Sequence, residues 1–183
     1  MRVIDTEIED VKILEPTVYF DDRGYFFEGF HARKLAELGI REEWVQDNQS
    51  QSKLGTIRGL HAQSRHPQAK LVRVVLGEVF DVAVDIRPES STFGQWVGAR
   101  LSSQNHRAMY LPRGFAHGFC ALSEQVIFQY KCSDFYDPAG EIAIRWDDPD
   151  LAIDWPIADT LVADKDRAAG SFAELARRLA GAA

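Results

Sequence analysis

Apolar residues recur along this chain at every second position over short stretches. Lys70–Leu76 alternates Lys and Arg with Leu and Val, and Phe80–Ile86 alternates apolar with acidic or small side chains. That spacing is the two-residue repeat of a β-strand, and it predicts strands with one face buried. Gly77-Glu78 between the two stretches supplies a turn, so together they read as a hairpin. Further strands are expected at Trp96–Leu101, Ala108–Leu111, Gly118–Leu122, Val126–Cys132 and Glu141–Trp146, set apart by Gly, Pro, Asp and Asn. Turns at such spacings are typical of sandwiches and barrels, and the chain from about Lys12 to Trp146 is read as all-β.

Helical signals are confined to two places. One is Ala32–Leu38, closed by Gly39; the other is Phe172–Leu179, beginning after Ser171 as an N-cap. Both are expected at the periphery. No internal repeat, low-complexity tract or shift of composition marks a linker, so residues 1–183 are expected to form one domain, with a C-terminal helix at 171–180 and fraying last residues.

Composition narrows the classes of function. A chain of 183 residues with 45% hydrophobic and 27% charged content is long enough to bury a sizeable core. Its net charge of -7 argues against nucleic acid, whose binding draws most of its affinity from Lys and Arg contacts to phosphates. Cys120 and Cys132 stand twelve positions apart in apolar surroundings, neither a metal spacing nor a disulfide framework, and are read as reduced packing residues. No charged-then-apolar leader opens the chain, and no apolar run approaches the ~18–20 residues that span a membrane. The expected location is the cytoplasm, with no membrane partner.

The candidate chemistry lies in Arg58-Gly59-Leu60-His61 and Lys70, a base and a cation on one β-rich segment. In one cavity they suit proton abstraction beside a carbonyl, with the histidine taking the proton and the lysine steadying the enolate. Pro112–Phe119 resembles the second motif of the cupins, in which a turn sends a histidine into a double-stranded β-helix. The first motif of metal-binding cupins carries two histidines separated by one residue. The matching stretch here is His61-Ala62-Gln63, so the second histidine is missing, and ligand count favours a metal-free barrel.

Several motifs in order carry a more specific resemblance. They are Asp22–Glu28, Gln46-Asp47-Asn48, Thr56–His61, Gln68–Val74, Gly114–Phe119, Tyr130-Lys131, Arg145–Pro149, Ile153–Pro156 and Asp164-Lys165-Asp166. Together they resemble the dTDP-4-dehydrorhamnose 3,5-epimerase family over nearly the whole chain up to the C-terminal helix. The resemblance implies an all-β cupin, a jelly-roll double-stranded β-helix with short peripheral helices. It implies no cofactor and no metal, a homodimer, and a dTDP-linked 4-keto-6-deoxy sugar as substrate, epimerised at C3 and C5 in a deoxysugar pathway of the L-rhamnose type.

The family's catalytic histidine falls on His61, its partner aspartate on Asp166, its enolate-facing lysine on Lys70 and its proton-returning tyrosine on Tyr130. Its substrate-binding residues fall on Arg23, Phe26, Glu28, Gln46, Asn48, Arg58 and His117, and the segment holding Arg23 is expected to reach the neighbouring subunit's pocket. Taken alone, Arg23 also reads as a hairpin turn residue. Two positions depart from the family pattern: Ala62 where an aromatic is usual and Gln49 where a histidine is usual. Strand alternation from His61 points Ala62 outward.

Three other readings stand beside this one. The first is an epimerase inverting only C3 or only C5 of a related nucleotide sugar. The second is a metal-dependent cupin enzyme using His61, His117 and Gln63, and the third a non-catalytic sugar-nucleotide-binding cupin.

Overall fold

The computed structural model describes residues 1–181. Ala182 and Ala183, where fraying is expected, lie outside the described residues. The strands in chain order are β1 (Arg2–Asp5), β2 (Lys12–Glu15), β3 (Val18–Asp21), β4 (Gly24–Phe27), β5 (Gln46–Lys53), β6 (Thr56–Gln63) and β7 (Lys70–Leu76). They continue as β8 (Glu78–Asp85), β9 (Trp96–Ser102), β10 (Ala108–Leu111), β11 (Phe115–Ala121), β12 (Gln125–Cys132), β13 (Glu141–Ala143) and β14 (Leu161–Val162). The α-helices are α1 (Ala32–Glu37), α2 (Asp164–Arg167) and α3 (Phe172–Ala180). No helix among the described residues is long and apolar enough to cross a membrane.

One sheet has the order β1-β2-β10-β7-β12-β5 and the other β13-β6-β11-β8-β9, with β14 added in parallel along part of β6. From β5 to β12 the chain passes back and forth between the sheets, which is the antiparallel jelly roll of a double-stranded β-helix. The two sheets share an inner core, in which Val72, Met109 and Phe128 of the first meet Val79, Val97 and Phe119 of the second. Each sheet also has a covered outer face. Helix α1 and Trp44 lie over the first, through Leu35, Leu38 and Ile40; α3 and the segment holding Leu151 and Trp155 lie over the second.

That covering changes the reading of β8. The alternation in Phe80–Ile86 predicts one buried face, with Asp81 and Asp85 on the other, yet both aspartates are fully buried. Val82 and Val84 face the outer cluster, while Val79 and Ala83 face the inner core. The strand is central and enclosed on both sides, and its carboxylates survive there because each has partners. Asp85 accepts from the Arg87 guanidinium and from the Ser90 and Thr92 hydroxyls.

Both expected helices are present. Ser171 caps α3 by accepting from Glu174 N–H at 3.2 Å, and the Glu174 side chain accepts in return from Ser171 N–H at 2.8 Å. This reciprocal box satisfies two N–H groups that the helix leaves unpaired. Hairpin β3–β4 stands apart from both sheets and exposes Tyr19, Phe20, Tyr25 and Phe26.

Candidate functional site

The inner core fills only part of the barrel. The rest is a cavity of about 670 Å³ whose walls include inward residues of β5, β6, β7, β11 and β12. On β6, Leu60 packs into the outer cluster and His61 turns inward, so alternation sets the histidine in the cavity. His117 lies opposite it across the β6–β11 pairing. The two strands approach closely at glycines: a Cβ on Gly59 would fall 2.6 Å from the Gly118 Cα and 2.6 Å from the His117 carbonyl oxygen.

Asp166 comes from α2, 105 residues beyond His61, and its Oδ1 lies 2.7 Å from His61 Nε2. Its Oδ2 accepts from Gly59 N–H at 3.4 Å, so the carboxylate is held from both sides while being 3% exposed. Burial pulls the His61 pKa below its ordinary value, and the bond to Asp166 opposes that pull. A bond from Nε2–H to the carboxylate leaves the other ring nitrogen free to accept a proton.

Lys70 lies on β7, where its Nζ donates to the His61 carbonyl oxygen at 3.3 Å. Burial lowers its pKa, and its neighbours Cys132, Asp81 and Glu141 act electrostatically in the opposite direction. Tyr130 enters from β12, next to the stacked rings of Phe119 and Phe128, whose centroids are 4.3 Å apart. Its hydroxyl pKa is raised, chiefly by burial, so the phenol holds its proton at neutral pH. The structure therefore brings a histidine, its carboxylate, a lysine and a protonated phenol to one cavity.

Of the remaining expected residues, Gln46, Asn48, Arg58 and His117 line the same cavity. Gln46 donates to Asn48 at 3.1 Å, and Arg58 is steadied by Ser52 Oγ and the Gln51 carbonyl oxygen, both at 3.0 Å. Arg23, Phe26 and Glu28 are not brought to this cavity. Arg23 sits in the β3–β4 turn with its guanidinium 2.6 Å from Asp21, Phe26 is 70% exposed, and Glu28 pairs with Lys34 at 2.7 Å.

Both departures from the usual pattern have a place. Ala62 packs against the outer cluster, as alternation predicts, although the residue also borders the cavity. Gln49 faces outward and bonds Gln129 at 2.8 Å. Gln63 is occupied by the backbone: its amide donates to the carbonyls of His66 and Phe135, and its oxygen accepts from Asp137 N–H.

Sequence reasoning missed part of the rim and one wall residue. Tyr136, Glu141, Lys165 and Arg167 line the cavity, with Glu141 held by Lys165 at 3.2 Å and by the Tyr136 hydroxyl at 3.4 Å. The available signal was the stretch Lys165-Asp166-Arg167, whose basic residues flank the aspartate. Cys132 is more than a packing residue, since it stands in the cavity wall, pairs across strands with Lys70 and accepts from Asn48 Nδ2 at 3.6 Å.

Comparison with known proteins bears on this arrangement. A family profile described as dTDP-4-dehydrorhamnose 3,5-epimerase matches residues 5–174. A dTDP-4-dehydrorhamnose 3,5-epimerase of Pseudomonas aeruginosa is 53% identical over 176 residues, covering 95% of this chain and 97% of that one. One from Methanothermobacter thermautotrophicus is 50% identical over 169 residues, 91% of each chain. The crystal structure of a dTDP-6-deoxy-D-glucose-3,5-epimerase from Legionella pneumophila, in complex with dTDP-4-keto-L-rhamnose, superposes with a TM-score of 0.91 at 52% identity, covering 95% of this chain and 96% of that one. With the cavity, its paired histidine and the jelly roll that holds them, the profile match across most of the length settles the affiliation: the chain belongs to the dTDP-4-dehydrorhamnose 3,5-epimerase family.

Proposed function

We propose that this protein epimerises C3 and C5 of a dTDP-linked 4-dehydro-6-deoxyhexose, with His61 as base, Asp166 as its partner, Lys70 facing the enolate oxygen and Tyr130 returning the proton. The observation that carries the reading is the His61–Asp166 bond of 2.7 Å inside a cavity that also holds Lys70 and Tyr130. The C4 ketone acidifies the hydrogens on both neighbouring carbons, so the protein need only remove and return protons. His61 takes the proton, and the carboxylate stabilises the imidazolium that forms. Lys70 places positive charge where the oxygen becomes negative. Inversion requires a donor on the opposite face of the ring, because His61 alone would return the proton to the side it left. The protonated phenol of Tyr130 fills that role.

Arg58 and His117 bind the diphosphate end, where a guanidinium matches phosphate oxygens two at a time. Gln46 and Asn48 take the nucleoside side. The active form is a homodimer in which Arg23, Phe26 and Glu28 serve the partner's cavity. What supports this is the β3–β4 hairpin, which carries exposed aromatics away from its own chain's sheets. The cytoplasm is the compartment that suits two buried free thiols, Cys120 and Cys132.

The test is incubation with dTDP-4-dehydro-6-deoxyglucose in deuterated water, with and without chelator, following the C3 and C5 protons by NMR. Chelator-insensitive exchange with inversion at both carbons supports the reading. Inversion at one carbon assigns a mono-epimerase, loss on chelation a metal enzyme, and binding of dTDP without exchange a non-catalytic module.

A further inference from the structure

Asp81 lies behind the cavity wall, fully buried on the inward side of β8. Its two carboxylate oxygens lie 3.1 and 3.0 Å from a single atom, Nε2 of His117. One N–H shared between two oxygens leaves most of the carboxylate's accepting capacity unmet. A buried carboxylate in that condition costs several kcal/mol unless other charge answers it.

Lys70 faces the same barrel interior, and its charge acts on Asp81 after that of His117. Among the described residues its Nζ bonds only the His61 carbonyl oxygen, and no carboxylate touches it. The groups that act on its charge come from several strands: His61 on β6, Asp81 on β8, Cys132 on β12 and Glu141 on β13. Burial raises the Cys132 thiol above its ordinary value, so it stays neutral, and Glu141 is already held by Lys165 at the rim. Asp81 is the carboxylate left to answer Lys70 from within the barrel. The two groups act on each other reciprocally: burial pushes the Asp81 carboxyl up and the Lys70 ammonium down, and each one's charge favours ionisation of the other.

We infer that Asp81 is a positioning residue with two tasks: it anchors His117 by one ring nitrogen, fixing the ring in the cavity wall, and it supplies the buried negative charge that keeps Lys70 an ammonium. Only the use of that ammonium, to hold an enolate, rests on the epimerase reading. His117 and His61 are cross-strand neighbours, so the cavity holds two histidine–carboxylate pairs side by side. One moves a proton and the other holds its surroundings in place.

Asp81→Asn separates the two tasks, since its amide oxygen still accepts from His117 but carries no charge. The variant is expected to bind dTDP within about threefold of wild type, because the anchor survives. Its kcat/KM above neutral pH is expected to fall at least about tenfold, with the basic limb of the pH profile displaced about one unit towards acid. Asp81→Ala loses the anchor too and is expected to weaken dTDP binding about tenfold. A uniform loss of activity in Asp81→Asn with an unmoved basic limb would mean a merely structural role and overturn the proposal.

Should Asp81→Asn fail to fold, wild-type protein labelled at lysine Cε provides the second reading, with the Lys70 resonance assigned by its loss in Lys70→Met. An ammonium persisting through neutral pH supports the proposal; a neutral amine there refutes it. The lysine titration and dTDP affinity are read without turnover, so they stand or fall separately from the epimerase reading.

Discussion

Replacing Asp166 by Asn removes one charge from the cavity and, with the amide oxygen turned to His61, the long contact that Gly59 N–H makes at 3.4 Å. The amide oxygen can still accept from His61 Nε2–H in the position where the carboxylate sits at 2.7 Å, and Asn has nearly the volume of Asp. What disappears is the stabilisation of the imidazolium. A hydrogen bond to a charged group is worth about 1.5–3 kcal/mol, and about 1.4 kcal/mol is a factor of ten, so the rate of proton abstraction should fall by about 10–150-fold. The pH profile should change in a characteristic way. Burial already holds the His61 pKa below its ordinary value, and Asp166 opposes this. Without that opposition the pKa drops further, and since the neutral ring is the working form, the acid limb of kcat/KM moves to lower pH while the plateau falls. The assay is deuterium incorporation at C3 under saturating and limiting substrate across the pH range. An unchanged plateau, or an acid limb moving to higher pH, would refute the assignment of Asp166 as the charge partner of the base.

Three further outcomes are expected. In Tyr130→Phe, deuterium should still enter the sugar while inversion drops at least about 100-fold, since His61 can return protons only to the face they left; inversion at the wild-type rate by NMR would exclude Tyr130 as the donor. Asp85 is a stability prediction: burial pushes its carboxyl up, but Arg87, Ser90 and Thr92 pull it further down, to about 2. A depressed carboxyl stabilises above its unfolded pKa and loses that contribution as pH falls through about 2. Asp85→Asn should therefore cost about 2 kcal/mol in urea unfolding at neutral pH and progressively less in acid, and a deficit independent of pH would contradict this. In Gly59→Ala the new Cβ meets the backbone of His117 and Gly118 at 2.6 Å, at a φ of +119°; a loss of at least about 2 kcal/mol with impaired exchange is expected, and wild-type stability would show that the strands yield at that crossing.

The strands that hydrophobic alternation can reveal are those whose two faces differ. β12 was legible because inward Val126 and Phe128 alternate with Gln125, Ile127 and Gln129, whereas on β7 the outward residues are Leu71, Arg73 and Val75 and Lys70 faces the cavity, so there strand composition rather than polarity carried the signal. β5 carries no such signal: Gln46, Asn48 and Ser50 face a cavity rather than an apolar core, and Asp47, Gln49 and Gln51 on its other face are exposed, so both faces are polar. β8 misled in the opposite sense, because Asp81 and Asp85 resemble solvent-facing residues until their buried partners are known. At the site, His61, Lys70, Tyr130 and Asp166 were found through ordered motifs, and alternation set Ala62 outward. The proximity of Asp166 to His61 had no local signature, since it depends on a four-residue helix returning to β6. The rim residues Tyr136 and Glu141 were missed for the same reason: they are loop and edge positions whose meeting is purely tertiary.

The way that helix returns has a consequence for how activity is acquired during synthesis. After β13 the chain is bridged to its own later part at Ile144 and Gly170, and β14 fastens the intervening excursion along β6. His61, Lys70 and Tyr130 stand on strands that end with β12, whereas Asp166 comes from a helix made after every strand. A nascent chain thus carries the strands of the cavity before it carries the carboxylate that pairs with His61, and the pair forms only once the segment fastened along β6 has been added.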